Sequence, residues 1–307
     1  MSNLSLTEAL SKVRQVFNVN RVLQDFSRDI TVPYYTQSEY GYSKFHSQRD
    51  CVHLALNEDG IFSEEGYYGQ PRTVSTQIQA IGARQVLELG SGKGFNSSFL
   101  AQEHPEVQFQ GVDLTPLHVS IANKKAASLS NLTFQVGDFN QLPFPNQSFD
   151  LIFGVDCLCH AKEAKIALAE IRRVLKPGGR LVVFDGYREP GFDQRSEEIQ
   201  VTTQLVEVSM AVVNGFDPLE DWLDAAETVG LNLVEKRDLS FAIMPNLINL
   251  QRLSQRYFRL IWRAKVIKWF LPKYLVGNAI AGLLMPYAFA VDSGPLGYYL
   301  LIFERID

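Results

Sequence analysis

Cysteine is scarce in this chain: Cys51, Cys157 and Cys159 are the three among 307 residues, and they form neither the paired spacing of a metal site nor a disulfide framework. A reducing, cytoplasmic setting and no structural metal are the expectation. The N-terminus lacks a basic segment followed by an apolar run, so it reads as no secretory signal. Long apolar runs are lacking as well. The longest, Leu275 to Val291, is interrupted by Gly277, Asn278, Gly282 and Pro286 and falls short of a comfortable membrane span, so it reads as a buried lid. Positive charge is in deficit, with 29 Lys and Arg against 34 Asp and Glu. That balance excludes a nucleic-acid binder relying on a general positive field. Internal repeats and low-complexity linkers are missing too, and 46% hydrophobic composition is enough to bury one full core.

What is present centres on Val86 to Gly94, Val-Leu-Glu-Leu-Gly-Ser-Gly-Lys-Gly. An apolar run that breaks into alternating glycines is a strand delivering the chain into a ligand-binding turn. The spacing Gly90-x-Gly92-x-Gly94, preceded by Glu88, is not a dinucleotide fingerprint, which places two residues before its last glycine. A second strand, Val107 to Val112, ends in Asp113, where a carboxylate can accept both hydroxyls of a ribose. A third, Leu132 to Val136, ends in Gly137-Asp138-Phe139, an acceptor and a ring suited to an adenine.

Strands and helices alternate onward. The pattern predicts helices at Phe95 to Gln102, Pro116 to Leu129 and Glu163 to Leu175, and strands at Phe149 to Gly154 and Arg180 to Asp185. A helix follows within Asp193 to Val213. Asp217-Pro-Leu-Glu220 then has the residues of a capping box for a helix ending near Gly230. Strands Leu231 to Arg237 and Tyr298 to Phe303 complete the set. Such alternation means an α/β, doubly wound, largely parallel sheet whose ligands sit at the carboxyl edge. Residues 1–70 read as a helical cap on the acceptor side, 71–239 as the cofactor core, 240–295 as an inserted lid and 296–307 as the last core strand.

The ordered motifs resemble those of class I S-adenosylmethionine-dependent methyltransferases. Glu88 to Gly94 matches that family's first motif, Gly111-Val-Asp-Leu114 its second and Gly137-Asp-Phe139 its third. Phe149 to Gly154 and Leu175-Lys-Pro-Gly-Gly179 match the fourth strand and the turn before the fifth. The resemblance implies a seven-stranded Rossmann-like fold. It also implies S-adenosylmethionine held by Glu88, Gly90, Ser91, Gly92, Gly94, Asp113, Leu114, Asp138, Phe139 and Val155. The backbone amides of Gly90 to Gly94 are expected to hold its methionine end.

Phe153-Gly-Val-Asp-Cys-Leu-Cys-His-Ala161 continues off the fourth strand, which places Asp156 and His160 on the acceptor side. The segment resembles the pattern of sterol side-chain methyltransferases, in which an acid precedes Cys-His-Ala; here the acid is aspartate rather than glutamate. Methylating an alkene carbon creates a cation that a carboxylate can stabilise and deprotonate, and such a cation can also cyclise first. For an amine or hydroxyl acceptor, either residue would instead orient or deprotonate the nucleophile. Glu39-Tyr-Gly-Tyr-Ser-Lys-Phe-His46 is similar to a segment that walls the acceptor pocket in the sterol group, making Tyr40, Tyr42 and His46 candidate substrate contacts.

Between Leu239 and Val291 there are seven Lys or Arg and no acid; with −5 on the whole chain, the remainder carries −12. A helix over Leu250 to Lys268 would set Arg252, Arg256, Arg259 and Arg263 on one narrow face. That face reads as a solvated lid surface, as a site docking on anionic membrane, or as a clamp on a prenyl diphosphate, with Mg²⁺ added for such an acceptor. Arg252, Arg256, Arg259 and Trp262 are the substrate candidates on this insertion. The sequence thus points to carbon methylation of a bulky hydrophobic isoprenoid or lipid. A natural-product N- or O-methyltransferase and a non-catalytic cofactor-binding protein at a membrane surface are the rival readings.

Overall fold

The computed structural model describes residues 4–24, 30–47, 49–212 and 214–306. Its centre is a sheet of seven strands: β1 Gln85–Leu89, β2 Gln108–Asp113, β3 Leu132–Val136, β4 Phe149–Val155, β5 Leu175–Arg188, β6 Leu231–Asp238 and β7 Leu296–Arg305. They lie in the order β3-β2-β1-β4-β5-β7-β6. The first five run parallel, and β7 inserts antiparallel between β5 and β6. Strand order reverses between β1 and β4, which is where a doubly wound sheet opens a crevice.

The period-two alternation of the strands divides the core. Val86, Val182, Phe184, Leu300 and Ile302 face one cluster, whereas Leu87, Leu89, Leu181, Val183, Leu301 and Phe303 face the other. The first face is covered by helices α1 Leu6–Val16, α4 Gly69–Ile81, α5 Phe95–Glu103, α6 Pro116–Lys125, α8 Glu197–Ser209, α10 Ser240–Phe258 and α12 Lys273–Ala288. The second is covered by α7 Ala164–Val174 and α9 Leu219–Thr228. Two more helices, α2 Val19–Gln24 and α3 Thr31–Gly41, lead into a π-helical turn over Tyr42–His46, and α11 spans Ile261–Ile267. Among the described residues no helix is long and apolar enough to cross a membrane.

Local chemistry accounts for several boundaries. Ser5 and Glu8 form a reciprocal capping box on α1, and α4 stops at Gly82 in the left-handed region. Three expectations need correction. Asp217 caps nothing, because Pro218 takes the N-cap position of α9 and offers no side-chain hydrogen bond. β5 runs from Leu175 instead of Arg180, since Leu175 already pairs with Phe149 and the register then shifts before Leu151 meets Arg180. The arginine helix is broken: α10 ends at Phe258 and α11 begins at Ile261, with the Tyr257 hydroxyl donating across the break to the Ala264 carbonyl at 3.1 Å. The four arginines therefore do not share one helix.

Candidate active site

A cavity of about 320 Å³ lies at the carboxyl ends of β1 to β4, with Thr31, Val32 and Tyr35 of α3 forming part of its wall. The β1 turn is shaped by its glycines. Gly90 has φ +59° and leaves no room for a Cβ beside Cys157; Gly92, at φ +51°, has space but a backbone conformation that L side chains rarely adopt. Asp113 braces this turn, its Oδ2 accepting from Gly92 N at 2.8 Å and its Oδ1 from Thr115 N at 2.7 Å.

Three amides of the turn bond within the protein. Ser91 N donates to Val112 O, Gly92 N to Asp113 and Gly94 N to Ser91 O, so these three amides brace the turn itself. Glu88 is likewise turned inward, accepting from Asn96 Nδ2 and from the amide and hydroxyl of Ser97. Burial pushes its carboxyl up to about 7, so it ties β1 to the first turn of α5 while lining the cavity. Leu114, Asp138, Phe139 and Val155 line the cavity as expected. Asp138 Oδ1 also accepts from the amide and side chain of Asn140.

Among the described residues, the cavity-lining Ser91 Oγ, Asn96 Oδ1 and Asn140 Oδ1 are buried without a hydrogen-bond partner, whereas a fourth buried polar atom of the lining, His118 Nε2, lies 3.3 Å from Glu39 Oε2. Unpaired buried acceptors are costly. An ammonium, a ribose hydroxyl and an adenine amine are donors suited to them, so the lining fits S-adenosylmethionine. Asn96 and Asn140 carried no motif that could have marked them in the sequence.

On the opposite wall Asp156 continues from β4 with φ +50°. Its Oδ2 accepts from Leu54 N at 2.8 Å and its Oδ1 from the Tyr298 hydroxyl at 2.6 Å. Burial, followed by the Asp185 charge, pushes this carboxyl up to about 7. His160 is held at both nitrogens, with Nδ1 3.3 Å from Ala211 O and Nε2 2.9 Å from the Tyr35 hydroxyl. A carbonyl only accepts, so Nδ1 carries the proton, and the neutral ring then accepts the Tyr35 proton at Nε2. Burial lowers the His160 pKa to about 4 and raises Tyr35 well above the phenol range, which keeps both neutral.

Tyr35 is the centre of an aromatic group. Its ring meets Tyr34 at 5.0 Å, Tyr42 at 6.2 Å and His118 at 5.7 Å. Of the other acceptor candidates, Tyr42 belongs to this group but does not line the cavity, and its hydroxyl lies 2.9 Å from that of Tyr34. Tyr40 points outward, 62% exposed. The His46 side chain lies outside the described part of the structure. Arg252, Arg256, Arg259 and Trp262 are exposed and none lines the cavity, so the structure does not bring them together with the other candidates in the clamp arrangement.

Lys93, between the second and third glycines, is almost completely buried. Its ammonium reaches Glu39 Oε1 at 3.1 Å, Ser43 Oγ at 3.1 Å and Asp50 Oδ1 at 3.0 Å. Burial acts to raise the Glu39 pKa, but hydrogen bonds from His118 and Ser43 and the Lys93 charge bring it down to about 2. The lysine thereby fastens the N-terminal cap to the glycine turn.

An α/β sheet with this order, a braced glycine turn and acids after β2 and β3 defines a methyltransferase domain of the class I, S-adenosylmethionine-dependent kind. Residues 87–183 match the methyltransferase domain family, and the chain carries that domain. It is similar to 24-methylenesterol C-methyltransferase 2 of Arabidopsis thaliana, 30% identical over 166 residues, 53% of this chain and 45% of the relative. It is also similar to a sterol 24-C-methyltransferase of Neurospora crassa, 27% identical over 205 residues, 66% of this chain and 52% of the relative. The chain thus spans about half the length of these curated relatives. Among solved structures, the cyclase SpnF superposes with a TM-score of 0.68 at 21% identity, covering 89% of this chain and 93% of that one. Geranyl diphosphate C-methyltransferase from Streptomyces coelicolor A3(2), in complex with Mg²⁺, geranyl diphosphate and S-adenosyl-L-homocysteine, does so at 0.59 and 16% identity, covering 91% and 100%. These two likenesses concern the fold.

Proposed function

We propose that this protein binds S-adenosylmethionine and directs its methyl group to a carbon of a hydrophobic isoprenoid or sterol-like acceptor. The observation that carries the reading is the acceptor wall. Asp156 faces the cavity beside an aromatic group, where a carboxylate and ring faces together stabilise positive charge on an alkylated alkene. Similarity to sterol C-methyltransferases supports the same reading. The bound donor supplies an electrophilic methyl for in-line displacement, and holding the reactants in line can contribute about 7–11 kcal/mol. Asp156 then takes the proton that the methylated carbon releases. Val32, Val52, Tyr35 and His160 line the cavity and Lys162 is exposed, which supports a neutral acceptor over a diphosphate.

A second reading, methyl transfer to nitrogen or oxygen, is favoured by one feature: the His160–Tyr35 hydrogen bond provides a neutral imidazole that can relay a proton from a nucleophile. Incubating the protein with methyl-labelled donor and a panel of sterols, terpenoids, prenyl diphosphates, phenols and amines, with products identified by mass spectrometry, tests both. Label on carbon is expected, and a ring-closed product would extend the carbon reading to cyclisation. Label confined to amines or phenols would replace the first reading by the second.

A further inference from the structure

The break after Phe258 leaves α11 standing as a short projection. Its inner side is Ala264, fully buried, while Trp262 is 68% exposed; the turn that follows presents Trp269 and Phe270, 80% and 83% exposed. Val266 and Leu271 are exposed beside them. Large apolar side chains massed in water mark an interaction surface. The charges along this insertion have one sign. Arg259, Arg263 and Lys265 are exposed, and no acid occurs from Ser240 to Val291. Lys268 anchors the base, its ammonium donating to Val16 O at 2.6 Å.

We propose that this projection docks the protein on an anionic bilayer surface, with Trp262, Trp269 and Phe270 entering the interface and Arg259, Arg263 and Lys265 meeting lipid headgroups. Aromatic residues interleaved with cations suit that boundary, which takes the rings and the charges at different depths. A second copy meeting this face across a twofold axis would set one basic insertion against another, which opposes self-association. The surface is also continuous with the acceptor wall. Tyr274, three residues beyond Leu271, meets Tyr34 at 6.0 Å, and Tyr34 meets Tyr35 at 5.0 Å. Docking would therefore bring the cavity wall close to the phase in which a hydrophobic acceptor dissolves. Only this last benefit rests on the proposed acceptor.

Cosedimentation of the full chain with phosphatidylcholine vesicles, with and without phosphatidylserine, tests docking without any methyl acceptor. Binding to the serine-containing vesicles is expected, weakening with salt. Replacing Arg259 and Arg263 by Gln should reduce it about fivefold for each charge. The pair Trp269→Ala and Phe270→Ala should reduce it at least tenfold, with donor affinity and circular dichroism unchanged. Of the three tryptophans, Trp222 is buried, so a blue shift of emission on vesicle addition would report Trp262 and Trp269 leaving water. Absence of anionic vesicle binding, or binding that survives both sets of substitutions, would overturn the proposal. So would a dimer in sedimentation equilibrium that the aromatic substitutions dissociate while vesicle binding is absent.

Discussion

The Lys93 ammonium and the Glu39 carboxylate form a 3.1 Å ion pair in which the lysine is 1% exposed. One partner belongs to the donor turn and the other to the cap over it, so order in the cap and order in the turn are coupled. The carboxyl of Glu39, held down to about 2, contributes stability above its ordinary pKa near 4.5 and loses it as pH falls through 2. The Glu39 carboxyl is therefore fully ionised at neutral pH.

Lys93→Met should cost about 3 kcal/mol of stability, the range for removing one partner of a buried pair, because Glu39 is left facing the glycine turn without its cation. Urea denaturation measures this directly. An unchanged midpoint and slope would show that the cap is held by other contacts.

Asp113→Ala should weaken donor binding about a hundredfold. It removes the acceptor of Gly92 N and Thr115 N and the carboxylate proposed for the ribose, each worth about 1–3 kcal/mol. Titration calorimetry with S-adenosylhomocysteine provides the measurement; affinity within threefold of the parent would remove Asp113 from the site.

Asp156→Asn and Asp156→Ala separate charge from shape. Asparagine can still accept from Leu54 N and offer its amide to the Tyr298 oxygen, and it tolerates positive φ. Its stability should stay within about 1 kcal/mol of the parent, while carbon methylation falls by about two orders of magnitude or more. Alanine should lose both stability and activity. Full turnover in the asparagine variant would restrict Asp156 to a structural role.

The folded pKa of His160, near 4, lies below its ordinary 6.5, so the unfolded chain binds the proton more readily. The resulting contribution to stability is present above about 6.5 and disappears as pH falls through about 4, at up to about 1.4 kcal/mol per pH unit. His160→Gln should flatten that part of the stability profile in denaturant titrations across this range. Parallel profiles for parent and variant would rule the histidine out as its source.

The strand-end half of the cavity lining was legible because its determinants are local. Gly90, Gly92, Asp113, Asp138 and Phe139 lie at or just beyond the ends of β1, β2 and β3, and a strand followed by a small or acidic residue is readable within a few positions. The other half depends on distant segments. Tyr298 meets Asp156 across 142 positions and Lys93 meets Glu39 across 54, and neither pairing has a sequence signature. The arginine stripe was misread for a related reason. No Gly or Pro stands between Tyr257 and Ala264, and periodicity alone gave no sign that this helix stops.

The position of β7 also orders events in time. The strands that gather the donor, β1 to β4, precede residue 156, whereas β7 follows the whole basic insertion and must slide between β5 and β6 to bring Tyr298 to Asp156. A chain leaving the ribosome would thus build its donor pocket early and complete its acceptor wall only with the final strand of the sheet. Until then Asp156 lacks the Tyr298 hydroxyl that donates to it, so the carboxylate proposed to act on the acceptor takes its final setting only when the sheet is closed.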